Sequence, residues 1–516
     1  MAATATPTRN STMPPDGICS PAPRCASDVV RPGEARSASP VGKKDETSML
    51  RIALIFSVAA ASVPAAAAGG KVPAPTDADR AEAVTLLKQL VAIPTAKGRG
   101  RVPELIDVLA AKLTEAGFAP DDIVRRPVTV DGEQTMGLIV RYAGRNPSLP
   151  PVALLAHMDV VDAVAANWAT EPYKPVEKDG YLYGRGTQDN KFGVAVLVET
   201  FVRLRRAGWR PNRDLLLAFS GDEETGMRST RAVIAHPWVA RATYALNSDA
   251  GGGSVTADGR PIAFGMQAAE KTNATFAVTV KNRGGHSSVP RNDNAIYELA
   301  RALTRIEGTR FPVQLNSVTR AMVKRVAAER GGVLGEALTR LTTAPGDAQA
   351  LDVVRRYPEV SNILWTTCVA TMFEAGNAPN ALPQNATATV NCRILPGVAV
   401  EEVRQVLARA AGPETAIALV GEAVESPVSE PRAEVTALLQ VGLSATYPGA
   451  SLHPTMSSGG TEGREYRRAG IPTWGAGSLG LVLPEDSRAH GTDERIPLRA
   501  FGQELDYWQE VLTNMQ

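Results

Sequence analysis

Short apolar runs that end directly in histidine or acidic residues constrain the fold of this chain more than any other feature. PVALLA (151–156) runs into His157, DLLLAF (214–219) runs into the acidic segment SGDEETG, and ATYALN (242–247) is followed by SDAGGG. Segments with helical periodicity, such as 191–207, separate these runs. This alternation predicts an α/β sheet with helices on both faces, and such sheets build their sites at the carboxyl ends of strands.

Each polar group at these strand ends also has an ordinary structural explanation. His157 and Asp159 lie two residues apart, so in a strand they point to one side, and the carboxylate can accept a hydrogen bond from the imidazole. A solvated or core histidine fits the same pattern. Asp189 precedes a predicted helix, where an aspartate is common as an N-cap. Acidic loops like the one that holds Glu223 and Glu224 are usually solvated.

Considered together, the same residues predict a metal centre. Ligands suited to Zn²⁺ are the imidazoles of His157 and His490 and several carboxylates, namely Asp189, Asp249 and one of the pair Glu223 and Glu224. A two-metal site needs one carboxylate that bridges ions about 3.5–4 Å apart, and a separate base that deprotonates water. The CxxC spacing of a thiolate site is absent from the sequence, so histidine and carboxylates must hold any metal.

Six ordered motifs resemble those of the zinc carboxypeptidase/aminoacylase family, which includes glutamate carboxypeptidase, succinyl-diaminopimelate desuccinylase and acetylornithine deacetylase. They are LLAHMDVV, KPVEKDGYLYGRGTQDNK, LLLAFSGDEETG, ALNSDAGG, GGHSSVP and AHGTDERI. The likeness extends over about residues 75 to 516, and residues 370–397 look closest to carboxypeptidase S-like and N-acyl amino acid hydrolase members. The resemblance implies a sheet of the di-zinc exopeptidase type with an inserted lid domain.

The resemblance also implies a role for each metal ligand. His157 and Asp249 would bind one zinc ion, and Glu224 and His490 would bind the other. Asp189 would bridge the two ions and would be joined to the next residue by a cis peptide bond. Two Zn²⁺ ions per chain are therefore the expected cofactor.

Three further residues receive catalytic roles from the resemblance. Glu223 would be the general base, and Asp159 would orient the ring of His157. His286, in GGHSSVP, would donate a hydrogen bond to the oxyanion of the tetrahedral intermediate, often from the lid of a partner subunit. A surface histidine is the alternative for His286.

Substrate binding is implied for Arg393, Asn380 and, less specifically, Gly460. The Arg393 guanidinium would bind the terminal carboxylate of the substrate in a bidentate manner, through two N–H donors. The backbone N–H groups around Gly460 are a second candidate for the same carboxylate. A structural ion pair is the alternative role for Arg393.

The order of predicted elements divides the chain into domains. Residues 75–271 and 424–516 form the two parts of the catalytic domain, and 272–423 form a lid or dimerisation domain. Its predicted order is strand, helix, strand, strand, helix, strand, which is ferredoxin-like. The second strand is predicted over 362–373, and a helical insertion over about 311–356.

We therefore expect a zinc-dependent hydrolase of the carboxypeptidase or dipeptidase type, which cleaves an amide or peptide bond next to a free C-terminal carboxylate. The alternatives are an N-acyl amino acid hydrolase or deacylase of the same fold and, less favoured, a non-catalytic binding homologue. The expected partner is a small peptide or N-acyl amino acid, and a homodimer through the lid domain is possible. A formal net charge of +1 gives no electrostatic reason to expect a nucleic-acid partner.

The beginning of the sequence has the pattern of an exported protein. Residues 1–48 are expected to be disordered or, if Met49 is the true start, not translated. Residues 49–68 have the layout of a signal peptide: Arg51, an apolar stretch and an Ala-rich cleavage site. The apolar stretch is too short to remain as a membrane span, so a periplasmic or secreted location is expected.

Two cysteines, Cys368 and Cys392, lie in consecutive predicted strands of the lid domain. We expect them to be free thiols, because a register slip of one residue would turn one side chain to the opposite face. A disulfide is the alternative, since the hairpin centre falls at position 380 and an exported protein meets oxidising conditions.

Overall fold

The structure is a computed structural model that describes residues 72–515. The α-helices of this part are, in chain order, α1 (Asp77–Val91), α2 (Val102–Glu115), α3 (Lys191–Arg206), α4 (Arg228–Ile234), α5 (Pro237–Ala240), α6 (Ala295–Glu307), α7 (Ser317–Arg330), α8 (Gly332–Thr343), α9 (Ala348–Val354), α10 (Pro358–Ser361), α11 (Val400–Ala411), α12 (Ala433–Thr446), α13 (Gly463–Arg468) and α14 (Leu498–Asn514).

The strands of the same part are β1 (Ile123–Val130), β2 (Glu133–Tyr142), β3 (Val152–His157), β4 (Val176–Lys178), β5 (Tyr181–Tyr183), β6 (Leu215–Ser220), β7 (Tyr244–Asn247), β8 (Gly253–Val255), β9 (Pro261–Glu270), β10 (Thr272–Lys281), β11 (Gly285–His286), β12 (Thr367–Ala375), β13 (Ala381–Leu382), β14 (Asn385–Ile394), β15 (Thr415–Val420), β16 (Leu452–Ser457), β17 (Thr473–Gly475), β18 (Gly480–Leu481) and β19 (Arg495–Pro497).

The central sheet has six strands in the order β1-β2-β6-β3-β7-β17. β3 runs parallel to β6 and β7, β17 runs parallel to β7, and β1 and β2 form an antiparallel edge. β3 and β6 are buried along their whole length, which explains their continuous apolar sequences. The predicted α/β fold is confirmed.

Helices cover both faces of this sheet. Leu215 and Leu217 of β6 belong to the larger hydrophobic core, whereas Leu216 and Ala218 point to the opposite face and belong to a smaller one. The larger core includes residues of α1, α2, α3 and α14. The smaller core includes residues of α4, α5 and α13.

Two smaller sheets surround the carboxyl ends of the central strands. One has the order β16-β9-β8-β18, and its strand β9 leads directly into β10, the first strand of the lid. The other has the order β19-β5-β4. Because β5 precedes Asp189 and β19 follows His490, their pairing brings these two distant parts of the sequence together.

The lid contains an antiparallel sheet in the order β12-β14-β10-β15, with α6 and α11 packed against it. β10 and β14 alternate between buried and less buried residues, which is typical of a sheet with one covered face. The succession β10, α6, β12, β14, α11, β15 is the ferredoxin-like order that the sequence predicts.

The predicted strand over 362–373 is wrong at its beginning, because β12 starts only at Thr367. Ile363 and Leu364 are buried, but in the turns that follow α10. A short apolar run does not distinguish a strand from a buried helix end. The insertion before it is helical as predicted, and its helix α7 packs against α8 and against β16.

A disulfide joins Cys368 to Cys392, so the expectation of free thiols is wrong. The two residues lie directly opposite each other in the ladder between β12 and β14, with Cα atoms 4.0 Å apart. The register does shift by one residue, but between Ala370 and Met372, on the side of the cysteine pair that is nearer the turn. The shift therefore leaves both cysteines on one face.

The predicted signal peptide at 49–68 and the segment 1–48 lie outside the described residues. Among the described helices, none combines the length and the apolar character that crossing a membrane requires.

Candidate metal centre and substrate cavity

The predicted metal ligands meet at one edge of the central sheet. His157 is the last residue of β3, Glu224 follows β6, and Asp249 follows β7. Asp189 immediately precedes the start of α3, and His490 lies in the loop before β19. The parallel arrangement of β3, β6 and β7 places their carboxyl ends side by side, which is why residues distant in the sequence converge there.

The Asp189 carboxylate lies between two groups of ligand atoms. Its Oδ1 is 2.8 Å from Nε2 of His157, which is itself 3.4 Å from Oδ1 of Asp249. Its Oδ2 is 3.0 Å from Nε2 of His490, which is also 3.0 Å from Oε1 of Glu224. One carboxylate thus offers one oxygen to each group, as a bridging ligand must.

These residues could hold metal ions in two groups, His157 with Asp189 and Asp249, and Asp189 with Glu224 and His490. A third possible group contains His157, Glu223 and Glu224. The donors are imidazole nitrogens and carboxylate oxygens, which fit Zn²⁺. The donor set therefore agrees with two zinc ions that share Asp189.

The ring of His157 is oriented by Asp159, but through a different atom from the one that the resemblance implies. Nδ1 of His157 is 2.9 Å from the backbone carbonyl oxygen of Asp159 and 3.6 Å from its carboxylate. The carboxylate instead accepts hydrogen bonds from the backbone N–H groups of Glu223 and Glu224, each at 3.0 Å. Asp159 therefore fixes the imidazole with its backbone and the two glutamates with its side chain.

The cluster concentrates negative charge in a protected place. Burial raises the pKa of Asp249 to about 6, against the influence of His157. Burial also raises the pKa of Glu223 well above its ordinary value, and the charges of Asp249 and Glu224 add to this while His157 opposes it. Burial opposes protonation of His157, but Asp249 and the hydrogen bonds to Asp159 and Asp189 outweigh it and hold its pKa well above the usual value. Carboxylates crowded in this way are suited to binding cations.

Several residues that support the ligands were not singled out in the sequence. Asn190 is joined to Asp189 by the cis peptide bond that the resemblance implies, and its side chain donates a hydrogen bond to Asp249 at 2.8 Å. The buried Lys191 donates to the backbone carbonyls of Leu90 and Ile93 and thereby ties the start of α3 to α1. Asn190 and Lys191 directly follow Asp189 in the motif GTQDNK, and this position was the available signal in the sequence. The residues that they contact lie far away in the sequence.

Arg393 and Gly460, two of the predicted substrate-binding residues, lie close to each other. Nη1 of Arg393 is 3.4 Å from the backbone oxygen of Ser458, across the gap between β14 of the lid and the loop after β16. Arg393 forms no ion pair with an acidic residue of the described part. The alternative role of Arg393, a structural ion pair, therefore has no support in the structure. The backbone N–H of Thr461 is already bonded to Glu270 at 2.7 Å.

His286 and Asn380 lie together, and no hydrogen bond or ion pair of the described residues joins either of them to a candidate metal ligand. The backbone N–H of Ser287 donates to the carbonyl oxygen of Asn380 at 3.0 Å, and β11 pairs with β13. Within the described residues, the ring of His286 bonds only to Ser288, whose backbone N–H donates to Nδ1 at 3.1 Å. Since Nδ1 accepts, the ring proton resides on Nε2, which is exposed and free to donate.

A cavity of about 540 Å³ opens beside Asp189 and Asp249. Large apolar side chains and glycine backbones line it together with polar and charged residues, among them Arg325 of α7. The large apolar side chains are those of Phe192, Phe264, Met456, Leu479, Leu481 and Leu483.

Comparisons with known proteins agree with this geometry. The model of the peptidase family M20/M25/M40 matches residues 153–514. The human N-fatty-acyl-amino acid synthase/hydrolase PM20D1 is 29% identical over 382 residues, which cover 72% of this chain and 75% of that protein. The probable carboxypeptidase S-like 2 of Dictyostelium discoideum is 26% identical over 394 residues, which cover 73% and 74%.

The fold also matches a solved structure. The M20 family metallo-carboxypeptidase Sso-CP2 from Sulfolobus solfataricus superimposes with a TM-score of 0.62 at 17% identity, over 84% of this chain and 98% of that one.

Proposed function

The chain belongs to the peptidase family M20/M25/M40, and from this premise and the site we infer that it is a two-zinc hydrolase that cleaves an amide bond next to a free carboxylate. The observation that carries this function is the position of Asp189, whose two carboxylate oxygens lie 2.8 Å from His157 and 3.0 Å from His490. A carboxylate between two ligand groups is the central element of a two-metal hydrolytic site.

The cofactor is zinc, and its five ligands are the residues predicted from the sequence. Zinc supplies Lewis-acid polarisation of the substrate carbonyl and lowers the pKa of water. Side chains of the protein carry out the proton transfers and bind the substrate.

Glu223 is the proposed proton carrier. The backbone N–H of Glu223 donates a hydrogen bond of 3.0 Å to the carboxylate of Asp159, and Glu223 is adjacent in sequence to the ligand Glu224. Burial raises the pKa of Glu223 well above that of an ordinary glutamate, which suits a group that must both accept and release a proton. Glu223 takes a proton from the attacking water and then delivers it to the nitrogen of the departing amine.

Arg393 and the loop around Gly460 recognise the carboxylate of the substrate. The guanidinium of Arg393 lies beside this loop, so a carboxylate bound there would accept hydrogen bonds from Arg393 and from a backbone N–H of the loop. A requirement for a free carboxylate fits a carboxypeptidase or dipeptidase type of activity.

Hydrolysis of N-acyl amino acids is the second candidate function, and the cavity favours it. Six large apolar side chains line the space beside Asp189 and Asp249, where the acyl side of the scissile bond would lie. The similarity to the N-fatty-acyl-amino acid synthase/hydrolase PM20D1 supports the same choice. A large apolar acyl group on an amino acid would meet both requirements, the free carboxylate and the apolar cavity.

A homodimer is proposed to complete the site. His286 and Asn380 lie together on the lid and have no contact with the metal ligands of their own chain, among the residues described. The edge strand β12 carries exposed apolar residues, Val369 and Met372, whose side chains are suited to a protein contact. A second copy of the chain would then deliver His286 to the oxyanion.

Export is proposed for the location of the protein. The signal-like sequence at 49–68 supports it, and so does the disulfide between Cys368 and Cys392, a bond typical of oxidising compartments.

A panel of matched substrates tests the proposed function. It contains an N-dodecanoyl amino acid, the corresponding N-acetyl amino acid and a free dipeptide, each with its C-terminal amide as control, assayed with zinc. We expect hydrolysis of the free acids, little hydrolysis of the amides, and the highest kcat/KM for the dodecanoyl compound. Equal hydrolysis of acids and amides would contradict the carboxylate requirement, and preference for the free dipeptide would favour the dipeptidase.

The variant Leu481→Trp places a larger side chain in the cavity and so tests whether the cavity binds the acyl group. We expect it to lower kcat/KM for the dodecanoyl substrate more than for the acetyl substrate. Val441→Trp, at an exposed position on α12, is the matched control and should change neither value.

Mixing two inactive variants tests the proposed dimer. Glu223→Ala lacks the base, and His286→Ala lacks the oxyanion donor. If His286 acts across the dimer, exchange of subunits should restore about a quarter of the wild-type activity, since half of the dimers are mixed and each has one complete site. Absence of recovery after exchange would place His286 within its own subunit.

A further inference from the structure

We propose that Arg185 and Glu494 form a positioning pair that sets the distance between Asp189 and His490, and thereby determines the affinity of the site for its second metal ion. This inference rests on the proposed metal ligands. Neither residue is itself a ligand, and both side chains are almost completely buried, with exposed fractions of 3% and 0%.

Glu494 anchors the loop that ends at Asp189. Its Oε1 accepts hydrogen bonds from the backbone N–H groups of Gln188, at 2.7 Å, and Asp189, at 3.1 Å. Its Oε2 accepts from the backbone N–H of Gly186, at 3.0 Å, and from Nη1 of Arg185, at 2.6 Å. One carboxylate therefore fixes the backbone on the N-terminal side of the bridging ligand.

Arg185 connects this anchor to the loop that carries His490. Its Nη2 donates to the carbonyl oxygens of Gly491, at 3.0 Å, and His490, at 3.3 Å. His490 has a left-handed backbone with φ of 63°, a conformation that is strained for a non-glycine residue. The contacts from Arg185 to both carbonyls hold the backbone in this conformation.

The two groups of ligands depend on this pair to different degrees. His157 is the last residue of β3 and Asp249 lies just after β7, and the central sheet fixes the positions of both strands. In the second group, Asp189 and His490 both lie on the loops that the pair joins. Loss of the pair should therefore weaken the ion held by Asp189, Glu224 and His490 more than the other ion.

Metal titration of the chelator-treated protein tests the inference. Glu494→Gln keeps the shape of the side chain but presents an N–H₂ group to backbone N–H donors, and Arg185→Lys keeps the charge but loses the planar fork. Isothermal titration with Zn²⁺ measures the affinity for each ion. We expect either variant to weaken one ion by about 10- to 100-fold, which is typical when the partner of a metal ligand is lost.

Reference variants identify the ion that is affected. His490→Ala should weaken the same ion, and His157→Ala should weaken the other. Arg467→Lys is the matched control, because Arg467 and Glu270 form an equally buried ion pair at 2.9 Å that contacts no metal ligand among the described residues. It should leave both affinities unchanged.

The proposal is overturned if both ions keep wild-type affinity in Glu494→Gln and Arg185→Lys, if both ions weaken equally, or if Arg467→Lys has the same effect. If the circular dichroism of Glu494→Gln shows that this variant is not folded, the zinc affinities of Arg185→Lys decide the test. If His490→Ala itself keeps both ions at wild-type affinity, the ligand assignment fails, and that failure is distinguishable from an effect of the pair.

Discussion

Replacement of Arg393 by alanine should reduce activity selectively on substrates that have a free carboxylate. Arg393 lies on β14 with its Nη1 3.4 Å from the backbone oxygen of Ser458, and no acidic side chain in the described part competes for it. A hydrogen bond to a charged group contributes about 1.5–3 kcal/mol, so kcat/KM should fall by about 10- to 150-fold. On the C-terminal amide of the same substrate, which lacks the negative charge, the loss should be much smaller.

The assay compares initial rates on each acid and amide pair for the wild type, Arg393→Ala and a control. Arg404→Ala is the matched control, since Arg404 lies in the same lid and pairs with Glu401 on the surface of α11. It should change neither rate. Equal losses on acid and amide in Arg393→Ala would refute the reasoning, because they would indicate a structural effect on the lid rather than recognition of charge.

Three further predictions follow from other contacts. Asp159→Asn should lower kcat/KM by about 10- to 100-fold, because the amide N–H₂ would oppose the backbone N–H groups of Glu223 and Glu224; kinetics together with zinc analysis check this. Thiol titration of the denatured, unreduced protein should find Cys368 and Cys392 oxidised, and reduction should lower the free energy of unfolding by about 3 kcal/mol for a loop of this length. Burial raises the pKa of Glu504 to about 7, so the folded state binds more protons than the unfolded state above about pH 4.5. Its contribution to stability should fall as the pH rises from about 4.5 to 7, and denaturant titrations of Glu504→Gln should lack this fall.

The convergence of the candidate ligands could be predicted from the sequence because each of them has a recognisable local signal. A buried parallel strand leaves a continuous apolar run, and the residue after it lies at the edge of the sheet where sites form. His157 ends β3, and Glu224 and Asp249 lie within a few residues after β6 and β7, so all three lie at this edge. Asp189 and His490 lie on loops instead, and the family motifs around them were the necessary signal.

The atoms that support the ligands could not be predicted in the same way. His157 forms its hydrogen bond with the backbone oxygen of Asp159. Every residue has a backbone oxygen, so the sequence does not indicate this contact. Arg185 and Glu494 form a pair over a separation of 309 positions, and neither has a neighbour that indicates its partner. The disulfide depended on the register between β12 and β14, which a shift elsewhere in the ladder made uncertain from sequence alone.

The separation of His286 and Asn380 from the metal ligands has a different physical origin. Both residues belong to the lid, and the sequence cannot tell whether a lid residue reaches the site of its own chain or that of another copy. The distance between them and the ligands emerges only from the packing of the domains.

The zinc content and the turnover of Glu223→Ala, measured on the same preparation, test the central claim most directly. Glu223 is assigned to proton transfer and Glu224 to the metal, although the two residues are adjacent and both lie near His157. The variant should therefore have no measurable turnover and keep close to two zinc ions per chain. Loss of one ion would contradict the assignment, because it would mean that Glu223 is a ligand and that the base is a different residue.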